Sequence, residues 1–223
     1  MCLYIGYALG TREWLENQNR KWWIKGLQAR CRQRLELQGR EQYLGQLIEH
    51  AYQEQLAQHA DKVTDERSQT HLQVACLVLA TAKVLRPWIR NDEELMSIIS
   101  AHMGNQTSPL LRFLLRFTLY LYPDAYASTV NRLRMLQMDY GSGFESRLEK
   151  GPDASELTVT SCFYQRLFEE QDLGRLAACC CCSQDAVWFR QLEKHGVGFQ
   201  RTQWLGDGDR ACRLRVTRLA KEQ

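Results

Sequence analysis

The chain of 223 residues is 44% hydrophobic and 25% charged, a globular balance that excludes long disorder. With 29 basic against 26 acidic residues its net charge is +3, so no overall field draws it to nucleic acid or to an anionic membrane. Nine cysteines, odd in number and four of them consecutive at Cys179 to Cys182, exclude a disulfide framework and, with no secretory signal ahead of them, point to reduced thiols in a cytoplasm.

Met1 to Leu9 is apolar but lacks a basic leader and a small-residue cleavage site, so it is expected to pack on the body. From Arg12 to about Gln58 apolar residues recur at helical spacing, as at Leu44, Leu47, Ile48 and Ala51, and Gly39 breaks the run into two helices. A third helix runs from about Thr64 through Leu72, Ala75, Cys76 and Leu79 and ends before Pro87. Asn91 ahead of Asp92, Glu93 and Glu94 reads as a helix start, because its side chain accepts an orphan N–H while the acids face the positive end of the dipole. Ser108-Pro109 repeats the signal for a helix to about Tyr122. That greasiest stretch is interrupted by Arg112 and Arg116 and is too short to cross a bilayer. Pro123-Asp124 opens the next helix, carried by Tyr126, Val130, Leu133 and Met138 as far as Gly141.

The Gly-rich stretch 141–153 reads as a linker or surface loop between a helical region, 1–140, and an α+β module, 154–223, the whole forming one compact domain. Leu157 to Thr160 is β-prone and feeds a helix from Cys162 to Glu170. Val197 to Trp204 alternates apolar and polar residues, Gly206 to Asp209 supplies turn chemistry, and the alternation resumes at Cys212, Leu214 and Val216, which makes a β-hairpin with Phe199 and Arg201 on one side of their strand. The expected fold is therefore α+β: about six helices packed on a small antiparallel sheet with a C-terminal hairpin.

The chemistry-bearing residues lie between Cys162 and Cys212. Cys182 and Asp185, three apart, share a face if helical, so that a thiolate nucleophile would have a carboxylate beside it to pass protons or hold an amidine. Equally, Cys182 reads as a small buried hydrophobe and Asp185 as the cap of a helix from Ala186 to Leu192. Cys162 sits where a helix N-terminus would lower its pKa, or it is simply buried. Arg201, strand-borne on a largely apolar face, needs an acidic partner, for which a substrate carboxylate, Asp185 or Asp209 would serve. Cys179-x-x-Cys182 with His195 and Cys212 formally offers four zinc ligands, but the second close pair is missing; neither metal nor cofactor is expected. The Arg20 to Lys25 and Arg30 to Arg34 clusters mix basic residues with Trp22 and Trp23 and read as a solvated helix face with one of the two indoles buried. They leave the N-terminal helices as the surface for a protein partner or a second copy.

Taken together, Cys162-Phe163-Tyr164, Cys182-x-x-Asp185, Phe199-x-Arg201-Thr202 and Gly208-Asp209-x-x-Cys212 resemble the C-terminal signature of the L-2-amino-thiazoline-4-carboxylic acid hydrolase family over about 158–216. The cysteine run and Gly174-Arg175 depart from its pattern. The resemblance implies hydrolytic opening of a small cyclic amidine carboxylate, with Cys182, Asp185 and Cys162 as catalytic candidates, Arg201, Thr202 and Asp209 on the substrate, and Gly208 and Cys212 structural. The rival expectation is a non-catalytic relative that binds a small ligand or a partner through the same pocket.

If the thiols are reduced, dithiothreitol will leave the melting temperature unchanged. A fall of several degrees would show that a disulfide supports the fold.

Overall fold

The computed structural model describes residues 12–31, 39–103, 124–178, 182 and 192–220. The chain divides into two compact units, Met1–Asp61 with Leu72–Ser108, and Lys62–His71 with Pro109–Gln223.

In the first unit, α1 (Arg12–Cys31) and α2 (Glu41–Gln58) flank Gly39, whose φ of +78° lies in the left-handed region that glycine adopts without strain. The two helices approach at Gly45, where a Cβ would collide with the Gln28 side chain, and Gln28 Nε2 donates to the Glu41 carbonyl at 3.0 Å. Of the paired indoles, Trp22 is exposed and Trp23 buried. Trp23 Nε1 donates to Thr81 Oγ1 at 2.9 Å, and its carbonyl accepts from His102 Nε2 at 2.9 Å. Thr81 belongs to α3 (Glu66–Leu85), whose first residues, to His71, lie in the second unit. That helix ends ahead of Pro87, as expected. His102 belongs to α4, residues 92–103, which Asn91 opens by accepting from the Glu94 N–H at 2.9 Å. Leu27, Leu44, Ile48, Cys76, Leu95 and Ile99 are buried, and burial pushes the Cys76 thiol up to about 12.

The second unit is built on α5 (Ala125–Tyr140) and a four-stranded antiparallel sheet in the order β1-β2-β4-β3. Asp124 caps α5 by accepting from Ala127 N–H at 3.0 Å, and Gly141, φ +58°, follows its last residue. Leu133 is fully buried on α5, whereas Met138, expected in the same stripe, is 55% exposed. The strands are β1 (Glu145–Lys150), β2 (Ala154–Ser161), β3 (Val197–Gln203) and β4 (Cys212–Arg218). Register places Leu148 opposite Leu157, Leu157 opposite Leu214, and Phe199 opposite Val216, so period-2 alternation gathers the apolar residues on one face. Glu156, Arg213 and Arg215 occupy the wet face, with an Arg213–Glu156 ion pair at 2.8 Å.

An α+β fold with a C-terminal hairpin is what the sequence predicts. The stretch 141–153, expected as a linker or surface loop, instead holds a 3-10 turn at Gly141–Gly143 and the whole of β1. Its alternation is hidden because β1 is an edge strand that keeps charge at Glu145, Arg147, Glu149 and Lys150 and offers only a half-buried Leu148 to the core. With β1 in the sheet and α5 held against it, the division of the chain falls within α3 and after Ser108. The helix expected from Ser108 to Tyr122 and that expected from Ala186 to Leu192 lie outside the described residues, save Leu192 itself.

His71 and His102, both buried, are held neutral. In the second unit His71 Nε2–H donates to the Asp139 carbonyl at 3.1 Å, which leaves Nδ1 to accept from the Tyr164 hydroxyl at 2.9 Å. Burial pushes both His71 and His102 down from 6.5 to about 4. The unfolded chain binds these protons first, so their contribution is complete above 6.5 and is lost as pH falls toward 4, each histidine accounting for about 3 kcal/mol at most. Denaturant midpoints should therefore drop between pH 7 and pH 5, and His71→Gln should flatten that slope. A wild-type midpoint unchanged over this interval would show that the rings are not held neutral.

Candidate functional site

Cys162, Thr202, Gly208, Asp209 and Cys212 lie toward one end of the sheet, where β2 hands over to α6 (Phe163–Glu169) and β3 turns into β4, with Arg201 one step further in on β3. The handover is fixed by Arg166, whose guanidinium donates to Ser161 Oγ and, at 3.1 Å, to the Gly143 carbonyl. Phe163 lies against Gly143, where a Cβ would come within 3.2 Å of its ring. Tyr164 reaches His71, and Tyr140 and Phe144 stack with ring centroids 4.3 Å apart beside them. A second clasp holds Lys62–His71 to the 141–143 turn. Asp65 accepts from Ser142 N–H at 3.0 Å, Ser142 Oγ–H at 2.6 Å and Ser68 N–H at 2.6 Å, bonds that hold its carboxyl well below the usual range.

Cys162 stands at the N-cap of α6, as the strand-to-helix reading requires. Of the two readings of this thiol, burial outweighs the helix terminus. Burial pushes the thiol up to about 11, and although the backbone amides of Gln165 and Tyr164 pull the other way, desolvation exceeds them. Cys162 is therefore a protonated thiol at neutral pH.

The β3–β4 turn accounts for three of the predicted residues. Trp204 N–H donates to Asp209 Oδ2 at 2.8 Å, Asp209 N–H returns to the Trp204 carbonyl at 3.1 Å, and Gly208 supplies the positive φ of +89° that the reversal needs. Leu205 N–H points at Cys212 Sγ, 3.3 Å away. Gly208 thus shapes the turn, Cys212 opens β4 beneath it, and the Asp209 carboxylate is engaged within the turn. Thr202 is exposed at a bulge, the register slipping between Arg201 and Gln203.

Arg201 faces the apolar side of the sheet opposite Leu214, half-buried, with its guanidinium carbon 5.7 Å from the centroid of the Trp204 ring. Cys212 lies on the same face of the neighbouring strand, opposite Val159, and its thiol is close enough to Cys162 to act on it electrostatically. Cys182 is half-buried, whereas Asp185 lies outside the described residues, so the proposed Cys182–Asp185 pair does too. Among the described residues no three potential metal ligands cluster.

Two polar groups escaped the sequence reading. Gln165 Oε1 and Trp204 Nε1 are buried without hydrogen-bond partners among the described residues, although Gln165 Nε2 donates to Glu169 at 2.8 Å. Gly206, beside Trp204, packs against the Gln165 side chain, a Cβ there coming within 3.2 Å of Oε1. No motif marks either residue, because a glutamine in an amphipathic helix and a tryptophan at a strand end look the same whether or not their polar atoms are buried.

No helix among the described residues is long and apolar enough to cross a membrane. Structures of an H-NOX protein from Shewanella oneidensis are similar at low identity. The Fe(II) state of a variant is 14% identical and covers 89% of this chain and 97% of that chain at a TM-score of 0.31, and the Fe(II)NO state is 13% identical and covers 87% and 99% at 0.31. A likeness of that degree transfers neither fold nor activity. No curated protein matches the chain. Residues 120–216, which span α5, the sheet and the Arg201 end of it, match the family model of L-2-amino-thiazoline-4-carboxylic acid hydrolase.

Proposed function

We propose that the C-terminal region hydrolyses a small cyclic amidine or cyclic amide that carries a carboxylate, opening its ring. The observation that carries this reading is Arg201. A guanidinium turned onto the apolar face of a sheet and flanked by an indole supports recognition of a carboxylate, and it lies within the segment that matches the thiazoline-carboxylate hydrolase family. The buried Gln165 carbonyl and Trp204 N–H add one acceptor and one donor, which suit an amidine's N–H and its ring nitrogen.

The chemistry asks for a nucleophile at the amidine carbon, which is electrophilic between its heteroatoms. A protonated Cys162 is a poor candidate, so the attacking role passes to Cys182, with Asp185 accepting and returning the proton. Thiolate addition gives a tetrahedral adduct; its collapse opens the ring as the leaving heteroatom takes a proton, and water then releases the thiol.

Measured on one set of variants, Arg201→Ala and Asp185→Asn should each abolish most turnover of thiazoline, imidazoline or hydantoin carboxylates while the melting temperature moves little. Cys182→Ser should abolish it outright, whereas Cys162→Ser should retain it. A structural ion pair would reverse the pattern, since removing one partner of a buried pair costs about 3–5 kcal/mol and the variants would melt early. A well-folded wild type that binds these carboxylates without hydrolysing them would establish the binding-module alternative instead.

A further inference from the structure

The opposite end of the sheet carries a second feature. A surface groove of about 560 Å³ runs between α5 and the β1–β2 turn, a volume within the range of small-molecule sites. Its geometry follows from how α5 lies on the sheet. Tyr126, in the first turn of the helix, donates its hydroxyl to the Gly151 carbonyl at 2.8 Å and pairs with Ser155 Oγ at 2.8 Å, whereas Gln137 Nε2, near the helix end, donates to the Ser146 carbonyl at 3.0 Å. The helix therefore runs antiparallel to β1. Ala127, Val130 and Arg134, spaced at three and four residues, form one stripe of α5 along the groove, about 10 Å from first to last, and Pro152 lines it with them.

Three cations line this groove: Arg134, Lys150 and Arg218. Arg218 is already engaged, bidentate to Asp124 at 3.2 and 3.0 Å, 3.6 Å from Asp153, and over the Tyr126 ring. The Tyr126 hydroxyl is engaged as well. Arg134 and Lys150, both exposed, have no side-chain hydrogen bond or ion pair among the described residues. Arg218 and Tyr126 are thus satisfied, Ala127, Val130 and Pro152 give the groove apolar lining with Asn131 among them, and Arg134 and Lys150 are left without acidic partners among the described residues.

We infer that this groove binds an organic monoanion with an extended apolar body, its oxyanion held between Arg134 and Lys150 and its tail laid along Val130, Ala127 and Pro152. This site is separate from the Arg201 end and does not depend on the hydrolase reading. Register sets Arg201, on β3, level with Leu214 and Leu157, about 10 Å along the strands from Ala154 at the groove and two strands across from β2.

Titration calorimetry of the full chain with octanoate, and with octanol as the uncharged control, tests this. Octanoate should bind saturably with a Kd below about 1 mM, octanol much more weakly, and added salt should weaken octanoate. The double variant Arg134→Ala/Lys150→Ala should lose about tenfold or more in affinity at an unchanged melting temperature, and Arg201→Ala should bind octanoate like the wild type. Equal binding of octanol, wild-type affinity in the double variant, absence of saturable binding, or loss of binding in Arg201→Ala would each overturn the inference, the last by assigning the carboxylate to the other end of the sheet.

Discussion

One-sided burial of the four-stranded sheet is the constraint on which the second unit rests. A strand shows alternate residues to opposite faces, so choosing Leu157, Val159, Leu214 and Val216 for the core fixes the side of every other residue in β2 and β4. Pairing then fixes β1 and β3. Arg201 turns inward because it stands opposite Leu214, and Arg213 outward because its neighbours on either side are Cys212 and Leu214. A slip of one residue would put Arg201 in water and Gln200 in its place. The slip that does occur in β3 falls at Thr202, beyond Arg201, where it exposes a threonine without disturbing the arginine.

That dependence explains what the sequence made legible. Alternation at Val197 to Trp204 and from Cys212 onward is a strong signal, and the hairpin, its turn residues and the inward set Cys212, Leu214 and Val216 follow from it. Capping is equally local, so Asn91 and Asp124 announced their helices. β1 was illegible because an edge strand is selected against looking like a strand: charge at four of its six positions protects the open edge and erases the apolar rhythm. His71 was illegible for another reason. Its two ring bonds reach Asp139 and Tyr164, 68 and 93 residues away, and nothing local distinguishes it from an ordinary helix-face histidine.

Cys162 shows how burial decides between opposed effects that spacing cannot rank. The N-terminal amides of a helix stabilise a thiolate, and the sequence places Cys162 where they converge. The same placement leaves Cys162 half-buried between the end of β2 and α6, and the cost of desolvating its charged form exceeds what two amides return. A cap position thus argues for a reactive cysteine only where solvent reaches the sulfur.

The two ends of the sheet have opposite electrostatic character for a related reason. At the Arg201 end the guanidinium is half-buried beside an indole, with a buried carbonyl and a buried N–H lacking partners among the described residues, so polar groups there are few and desolvated. Such a setting strengthens each interaction with a small polar ring and favours discrimination by hydrogen bonds. Beside α5 the cations are exposed and Ala127, Val130 and Pro152 offer apolar surface in the same groove, which favours a longer, less polar anion held by its head and by area rather than by several directed bonds. The sheet thus carries a polar, desolvated setting beside β3 and a wet, amphipathic one beside α5, and a molecule suited to one is poorly matched to the other.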